Sequence, residues 1–348
     1  MMMVMMMSRR PTITDLAQAA AVSVATVDRV LNRRLPVRAA TAERVVAAAE
    51  AIGYHATGLL KQRLTEVPVR TFGFLLQKRN DAFYQLLAAE LSRTTKNASF
   101  IRGRPVVEFM DEIVPSLIAS RIREVGALAD ALAVVAVDHP LVNEAIDDVA
   151  SRGKPVFTLL TDVTSPMRAG YFSVDSRKAG RTAAWAISRL ARRPGKIGIL
   201  LGSHRYLSQE LSEISFRSYM RENAPQFQLL EALVNLDDER IAYEGVIDMV
   251  ASNRDLVGIY AAGGGTEGLI RALRDEKTGD RIVAVCNELV PHSRAALIDG
   301  VIDLVLGTPI APISQKLIEA MALAANGENL DAMRQIQFPA ELYISENI

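Results

Sequence analysis

Near the front of the chain apolar residues recur at helical spacing in three short stretches, and then the pattern changes. In "TITDLAQAA" Ile13, Leu16, Ala17 and Ala20 share one face, and Thr12 stands three residues before Asp15 as a weak capping box. A tight "AVS" turn follows, and Ser23 can cap the next helix. There Val27, Val30 and Leu31 form the inward stripe. Ala25, Thr26, Arg29, Asn32 and Arg33 form the opposite one, with Val24 at its leading edge. "ATAERVVAAAEAIGY" predicts a third helix that adds Val45, Val46, Ala49 and Ile52 to the core and ends near Gly53. After Pro68 short apolar runs ("RTFGFLL", "ALAVVAV", "KPVFTLL", "KIGILLG", "LVGIYAAG", "RIVAVCN") alternate with amphipathic helices. That alternation predicts an α/β fold of parallel sheets built from βαβ units. Nine or so strands fit two similar halves better than one sheet, with the boundary near Val163–Gly170.

Charge sharpens the division. The chain has 348 residues and zero formal net charge. Yet residues 8–64 carry nine Lys/Arg against four Asp/Glu, a net +5, so the remainder carries −5. A basic head on an acidic body is the footprint of a polyanion-binding module. A single cysteine, Cys286, excludes an intrachain disulfide framework and fits a reducing, cytoplasmic setting. No apolar run is long enough to span a membrane. The opening "MMMVMMM" lacks the charge order and cleavage site of a signal peptide and reads as a tail or an over-extended start.

Helix, short turn, helix is the spacing of a helix-turn-helix, and small residues followed by cations suit the DNA major groove. Thr12–Tyr54 resembles, almost without gaps, the head of the lactose-repressor (LacI/GalR) regulators, with their "GVS" turn and "TVSRVLN" recognition helix. That resemblance implies that Val24 and Ala25 read bases. It implies that Thr26, Arg29 and Asn32 support them and that Thr12, Thr14, Ser23 and Thr41 touch backbone phosphates. Three departures stand out. Ala21 replaces the turn glycine, Asp28 replaces a serine, and the hinge region reads "HATGLLKQRLTEVP", with Leu60 or Leu64 as the candidate minor-groove wedge.

The body, roughly Val69–Ile344, resembles the sugar-binding part of the same regulators and of periplasmic sugar-binding proteins. The resemblance rests on "FGFLLQKRNDAFYQLL", "VDSRKAGRTAAW", "GIYAAGGGTEGLIRAL" and "RAALIDGVIDLVLGTP". It implies two Rossmann-like subdomains around a ligand cleft. The expected layout is a DNA-binding head over residues 8–56, a linker over 57–68, and an effector-binding and dimerising body over 69–348. Within the body, subdomain 1 is about 69–165 plus 290–325, and subdomain 2 about 166–289 plus 326–348. In doubly wound sheets ligands lie beyond the carboxyl ends of strands. That selects Asp81, Phe83 and Tyr84; Asp138 and His139; Ser203, His204 and Arg205; Ala262 and Gly263; Asn287 and Glu288; Gly307 and Thr308. Carboxylates and amides would hold the hydroxyls of a polyol and an aromatic face its C–H surface. The arginine common at the sixth unit is Ser212 here, so the family's sugar specificity does not carry over.

Two rival readings remain. "GGGTEG" at Gly263–Gly268 satisfies G-x-G-x-x-G after a strand, and Glu288 mimics a ribose-binding acid. But an NAD-dependent enzyme would carry that fingerprint on its first strand, and no catalytic partner accompanies it. The four histidines show no metal spacing and no Ser-His-Asp logic. A transport sugar-binding protein would need an export signal and no basic head. The reading adopted is a DNA-binding regulator, a repressor. It needs no cofactor or metal, responds to a small sugar or polyol, and acts as a homodimer on a palindromic operator.

Overall fold

The computed structural model describes residues 10–32, 37, 39–58, 60, 67–277, 281–328, 330 and 335–348. The head holds α1 (Ile13–Ala19), α2 (Val24–Asn32) and α3 (Ala39–Ala51). Thr12 and Asp15 close the capping box at α1, with each satisfying the other's backbone N–H. The inward stripe is as the periodicity predicts. Leu16, Ala17, Val27, Val45, Val46 and Ala49 form one buried cluster, with Val30, Leu31 and Ile52 packed against it. Gly53 turns the chain out of α3 at φ +66°, and Tyr54 returns its N–H to Ala49 O. Leu60 is 2 % exposed and belongs to this cluster. The head core claims it, so it is not presented as a wedge. Leu64 lies outside the described residues.

In the body, β1 (Val69–Gln77), α4 (Ala82–Asn97), β2 (Arg102–Met110), α5 (Pro115–Leu128), β3 (Ala131–Val134), α6 (Pro140–Ser151), β4 (Val156–Leu159) and β5 (Gly170–Val174) form the first unit. Then come α7 (Ser176–Leu190), β6 (Lys196–Leu201), α8 (Leu207–Asn223), β7 (Gln228–Leu229), β8 (Leu233–Val234), α9 (Glu239–Ser252) and β9 (Leu256–Ala261). They are followed by α10 (Thr266–Asp275), β10 (Val283–Asn287), α11 (Pro291–Ile298) and β11 (Leu304–Gly307). The chain ends with α12 (Ile310–Ala325), β12 (Gln335–Phe338) and β13 (Glu341–Tyr343).

The first sheet has the order β12-β5-β4-β3-β1-β2 and the second β13-β11-β10-β9-β6-β7, with β8 also pairing β6. All pairs are parallel except β11 with β13. Alternation along β1 explains the layers. Phe72, Phe74 and Leu76 meet Leu87 and Leu91 of α4 and Ile313 and Leu317 of α12. Leu75 faces the other way, into the cluster of Ile118 and Ile122 from α5 and Val142 and Ile146 from α6. The second sheet repeats the scheme. Ile197 and Ile199 pack with Ile187 and Phe216 on one face, while Leu200 and Ile259 pack with Val246 and Leu269 on the other.

The chain passes between the sheets three times, after β5, after β11 and after β12. This corrects the expected subdomain limits. β5, placed by the sequence in subdomain 2, pairs with β4 in the first sheet, and β11, placed in subdomain 1, pairs with β10 in the second. β12 likewise joins the first sheet by pairing with β5. A loop without a helix joins β4 to β5, so the helix-for-crossover rhythm that suggests a boundary breaks inside the subdomain.

Ala21 sits at φ +51°, one residue beyond the C-cap of α1. A Cβ there meets the left-handed penalty of roughly 1–2 kcal/mol, against roughly 0.5–1 kcal/mol of extra entropy for glycine. Ala21→Gly should therefore stabilise the head by about 0.5–1 kcal/mol. Hydrogen exchange of α1 and α2 amides in the full chain reads this directly. Slower exchange in the variant is expected, and faster exchange would mean that the Ala21 methyl contributes packing that outweighs the strain.

Candidate functional site

Two surfaces gather the residues selected from the sequence. The first is the leading end of α2. Ser23 Oγ accepts the Thr26 N–H at 3.1 Å and lies 2.9 Å from the Thr26 hydroxyl. That cap fixes where the helix starts. Opposite the buried Val27, Val24 is 42 % exposed. Ala25 and Arg29 are exposed as well, and Thr26 is half-buried. An apolar side chain held at the surface of so short a helix contributes nothing to the head core. Asn32 ends α2. Thr14 is exposed, Thr41 half-buried, and the Thr12 hydroxyl is engaged by Asp15 at 2.7 Å.

The second is a cavity of about 230 Å³ lined by the carboxyl ends of strands from both sheets. From the sequence selection it collects Asp81, Phe83, Tyr84, Ala262, Gly263, Asn287, Glu288 and Thr308. Asp81 caps α4, its Oδ1 accepting the N–H groups of Phe83 (2.9 Å) and Tyr84 (3.2 Å). Asn287 Nδ2 donates to Ala262 O at 3.0 Å, while its Oδ1 is buried without a partner. Glu288 holds a left-handed backbone at φ +69°. Its carboxylate accepts the Thr308 N–H at 3.0 Å and the Thr308 hydroxyl at 2.6 Å. Burial pushes that carboxyl up to about 7; the Thr308 bonds pull it down and Asp81 adds to the rise.

Asp138, His139, Ser203 and His204 do not line the cavity, which corrects the sequence selection. Asp138 Oδ1 accepts from Asn143 Nδ2, the Thr164 N–H and the Thr164 hydroxyl at 2.9–3.0 Å, so it organises its own loop. His139 Nδ1 caps α6 by accepting the Leu141 N–H. Ser203 Oγ accepts the Arg205 N–H, and His204 Nδ1 stands 3.5 Å from Glu213 Oε2. Arg205 and Gly307 are likewise absent from the lining. For Asp138 and His139 the reason is that β3 ends at Val134 and only the next residue, Val135, reaches the cavity. Val135, Ala136 and Val137 are all buried, so the apolar run continues past the strand.

The sequence selection missed Lys78, Tyr206, Gln209 and Asp237. Asp237 follows β8, a strand of two residues, and carries no strand signal of its own. Its Oδ1 accepts the Gly264 N–H at 2.8 Å, and Asn235 Nδ2 donates to Gly264 O at 2.8 Å. Burial raises the Asp237 carboxyl. These contacts explain the glycine run. A Cβ at Gly264 would lie 2.7 Å from Asp237 Oδ1, one at Gly263 would lie 2.6 Å from Gln209 Oε1, and Gly265 sits at φ +82°. The glycines admit neighbouring protein groups rather than a pyrophosphate. Lys78 Nζ donates to Asp237 O, and the Ser208 N–H to Thr161 Oγ1 at 3.3 Å. Both bonds tie one subdomain to the other. Among the described residues no cluster could hold a metal ion, and no helix is long and apolar enough to cross a membrane.

Residues 12–57 match the bacterial regulatory proteins of the lacI family, and residues 72–329 match the periplasmic binding protein domain. The chain belongs to that combined family: a lacI-type helix-turn-helix head on a periplasmic-binding-protein-like body. It is 27% identical over 212 residues to an HTH-type transcriptional regulator in the aml 5′ region of Streptomyces limosus, covering 61% of this chain and 58% of that one. It is 26% identical over 195 residues to the HTH-type transcriptional regulator MalR of Streptomyces coelicolor, covering 56% of this chain and 55% of that one. The chain thus spans little more than half the length of these curated relatives. Among solved structures, it is similar to a solute binding protein of an ABC transporter from Agrobacterium vitis bound with alpha-D-tagatopyranose. There the TM-score is 0.73 at 18% identity, over 80% of this chain and 95% of that one. GanP, a glucose-galactose binding protein from Geobacillus stearothermophilus, gives 0.70 at 14% identity over 80% and 99%. These likenesses establish the fold of the body.

A carboxyl raised to about 7 from an ordinary 4.5 binds its proton over a wider range folded than unfolded. Stability should therefore fall as pH rises through that window. Asp237 and Asp303 shift the same way through burial, so the comparison must isolate Glu288. Glu288→Gln should remove about 2–3 kcal/mol of this pH-dependent loss. Urea unfolding of parent and variant at pH 5 and pH 8 measures it. Parallel pH profiles would show that Glu288 ionises normally.

Proposed function

We propose that the chain is a DNA-binding transcriptional regulator, a repressor, acting in the cytoplasm as a homodimer on a palindromic operator. A small sugar or polyol in the inter-subdomain cavity controls it. The observation that carries this reading is the pairing of two sites in one chain. One is a capped helix with Val24, Ala25 and Arg29 turned outward on a lacI-type head. The other is a polar cavity fed by strand ends of two subdomains in the fold of sugar-binding proteins. Small apolar groups at a helix's leading end suit thymine methyls, and an arginine one turn on reaches guanine or a phosphate. One recognition helix reads few base pairs, so two related by a two-fold axis supply the specificity.

A ligand bridging the cavity favours the arrangement in which Asp81, from the first subdomain, and Asp237 and Asn287, from the second, face one another. It shifts the regulator only by its difference in affinity for the two arrangements. No enzyme activity is assigned. The glycine run that mimics a dinucleotide fingerprint is filled by Gln209, Asn235 and Asp237. Calorimetry with NAD and NADP should accordingly give no saturable heat, and a micromolar isotherm with either would reopen the enzyme reading.

Selection of binding sites from random duplexes should return a two-fold symmetric operator. On that operator Arg29→Ala should weaken binding by about 1–3 kcal/mol, measured by fluorescence anisotropy at one fixed salt concentration. Unchanged affinity with an intact fold would remove Arg29 from the DNA-binding face.

A further inference from the structure

Four of the cavity's backbone donors are already taken. The Phe83 and Tyr84 N–H groups at the start of α4 go to Asp81, the Gly264 N–H goes to Asp237, and the Thr308 N–H goes to Glu288. N–H groups of this kind would otherwise cradle a phosphate or carboxylate, and on this wall α10, behind Gly265, begins without a side-chain cap. Each of the four is answered instead by a protein carboxylate. Among the described lining residues there is no arginine. The one lysine, Lys78, donates to Asp237 O, and His292 stands 2.9 Å from Glu267 Oε1. An anionic ligand would therefore face three half-buried carboxylates, Asp81, Asp237 and Glu288, with no arginine to answer its charge.

Acceptors, by contrast, are in excess. Asn287 Oδ1 is buried with no partner. Asp81, Asp237 and Glu288 line the same cavity as Tyr84, whose hydroxyl is made less acidic first by burial, then by Tyr206 and by all three carboxylates. A protonated amine matches this arrangement, because it brings three donors, no acceptor and a positive charge. At about 230 Å³ the space lies below the roughly 300–1,000 Å³ of drug-sized pockets, which suits a single small ring or short polyol.

We propose that the effector is a monosaccharide-sized polyol bearing a protonated amine, seated with its ammonium among Asp81, Asp237 and Glu288, and that phosphorylated or carboxylated sugars are excluded. The inference rests on the reading of the cavity as a sugar or polyol sensor and specifies the class within it.

Matched triplets test it on the full chain by calorimetry and thermal shift. Each triplet is a hexose (glucose, galactose or mannose), its 2-amino-2-deoxy analogue and its 6-phosphate, with glucamine and glucitol as an open-chain pair. The expected result is that at least one amine binds tenfold or more tightly than its hydroxyl parent, while the matching 6-phosphate does not bind. Asp237→Asn keeps the acceptor for Gly264 and removes the charge. It should weaken that amine at least tenfold more than it weakens the neutral parent. A neutral sugar that matches or exceeds its amine, or a phosphate that binds, overturns the amine inference and leaves the sugar-sensor reading standing. Failure of every member of every set overturns the sugar-sensor reading and the inference with it.

Discussion

A parallel sheet is stable only with helices on both faces, and this constraint governs the body. β1 has no face to spare for polar groups. Phe72 and Phe74 point into one helical layer and Leu75 into the other, all fully buried. Hydrogen-bonding side chains are thereby pushed off the strands and onto the loops beyond their carboxyl ends. Gln77 at the end of β1 and Lys78 just beyond it follow this rule, as do Asn287 at the end of β10 and Glu288 just beyond it. Because both sheets open toward the same space, one cavity receives the polar ends of both. The site is thus a consequence of how the two cores are packed.

The electrostatics of that cavity follow from the same geometry. Loops that start helices expose backbone N–H groups, and here carboxylates meet them: Asp81 at α4 and Asp237 at the glycine run before α10. Burying a carboxylate costs several kcal/mol when its bonds are incomplete. The upward shifts of Glu288 and Asp237 mean that the amide and hydroxyl donors offset only part of that cost. Glu288 holds the strained φ of +69° with its backbone N–H bonded to Leu306 O and its side chain fixed by two bonds from Thr308.

The head was legible almost residue by residue, because its signals are local. Thr12 with Asp15, Ser23 with Thr26, the Val27 stripe and Gly53 each act within one helical turn of their place in the chain. The alternation of strands and helices in the body was legible for the same reason. What escaped depends on tertiary context. Asp237 follows a strand only two residues long, so nothing in the local pattern marks a strand end. Asp138 follows an apolar run that outlasts β3, which shifted the expected cavity residue from Val135 to Asp138. The limits of the subdomains turned on whether β5 and β11 pair forward or backward, and strand order is decided by partners more than ten residues away. Leu60 has an apolar side chain that either a DNA groove or the head core can bury, and the core is closer.

The cavity and the head meet through α4. Its N-terminus is capped by Asp81 in the cavity wall. Beyond its C-terminus, Ser99 Oγ accepts the Val37 N–H, between α2 and α3 of the head, at 3.0 Å. Sixteen residues of helix separate the two ends, about 24 Å at 1.5 Å per residue. Leu87 and Leu91 lock its middle into the first core, so α4 moves with that subdomain rather than bending within it. The opposing wall moves with the second subdomain, whose Tyr206 is nevertheless buried among Leu75, Met110 and Val163 of the first. Relative motion of the subdomains must therefore draw Tyr206 out of an apolar pocket and break Lys78 from Asp237. Both costs fall on contacts that border the cavity. The end of α4 that carries Asp81 belongs to the same rigid helix as the end that adjoins the head.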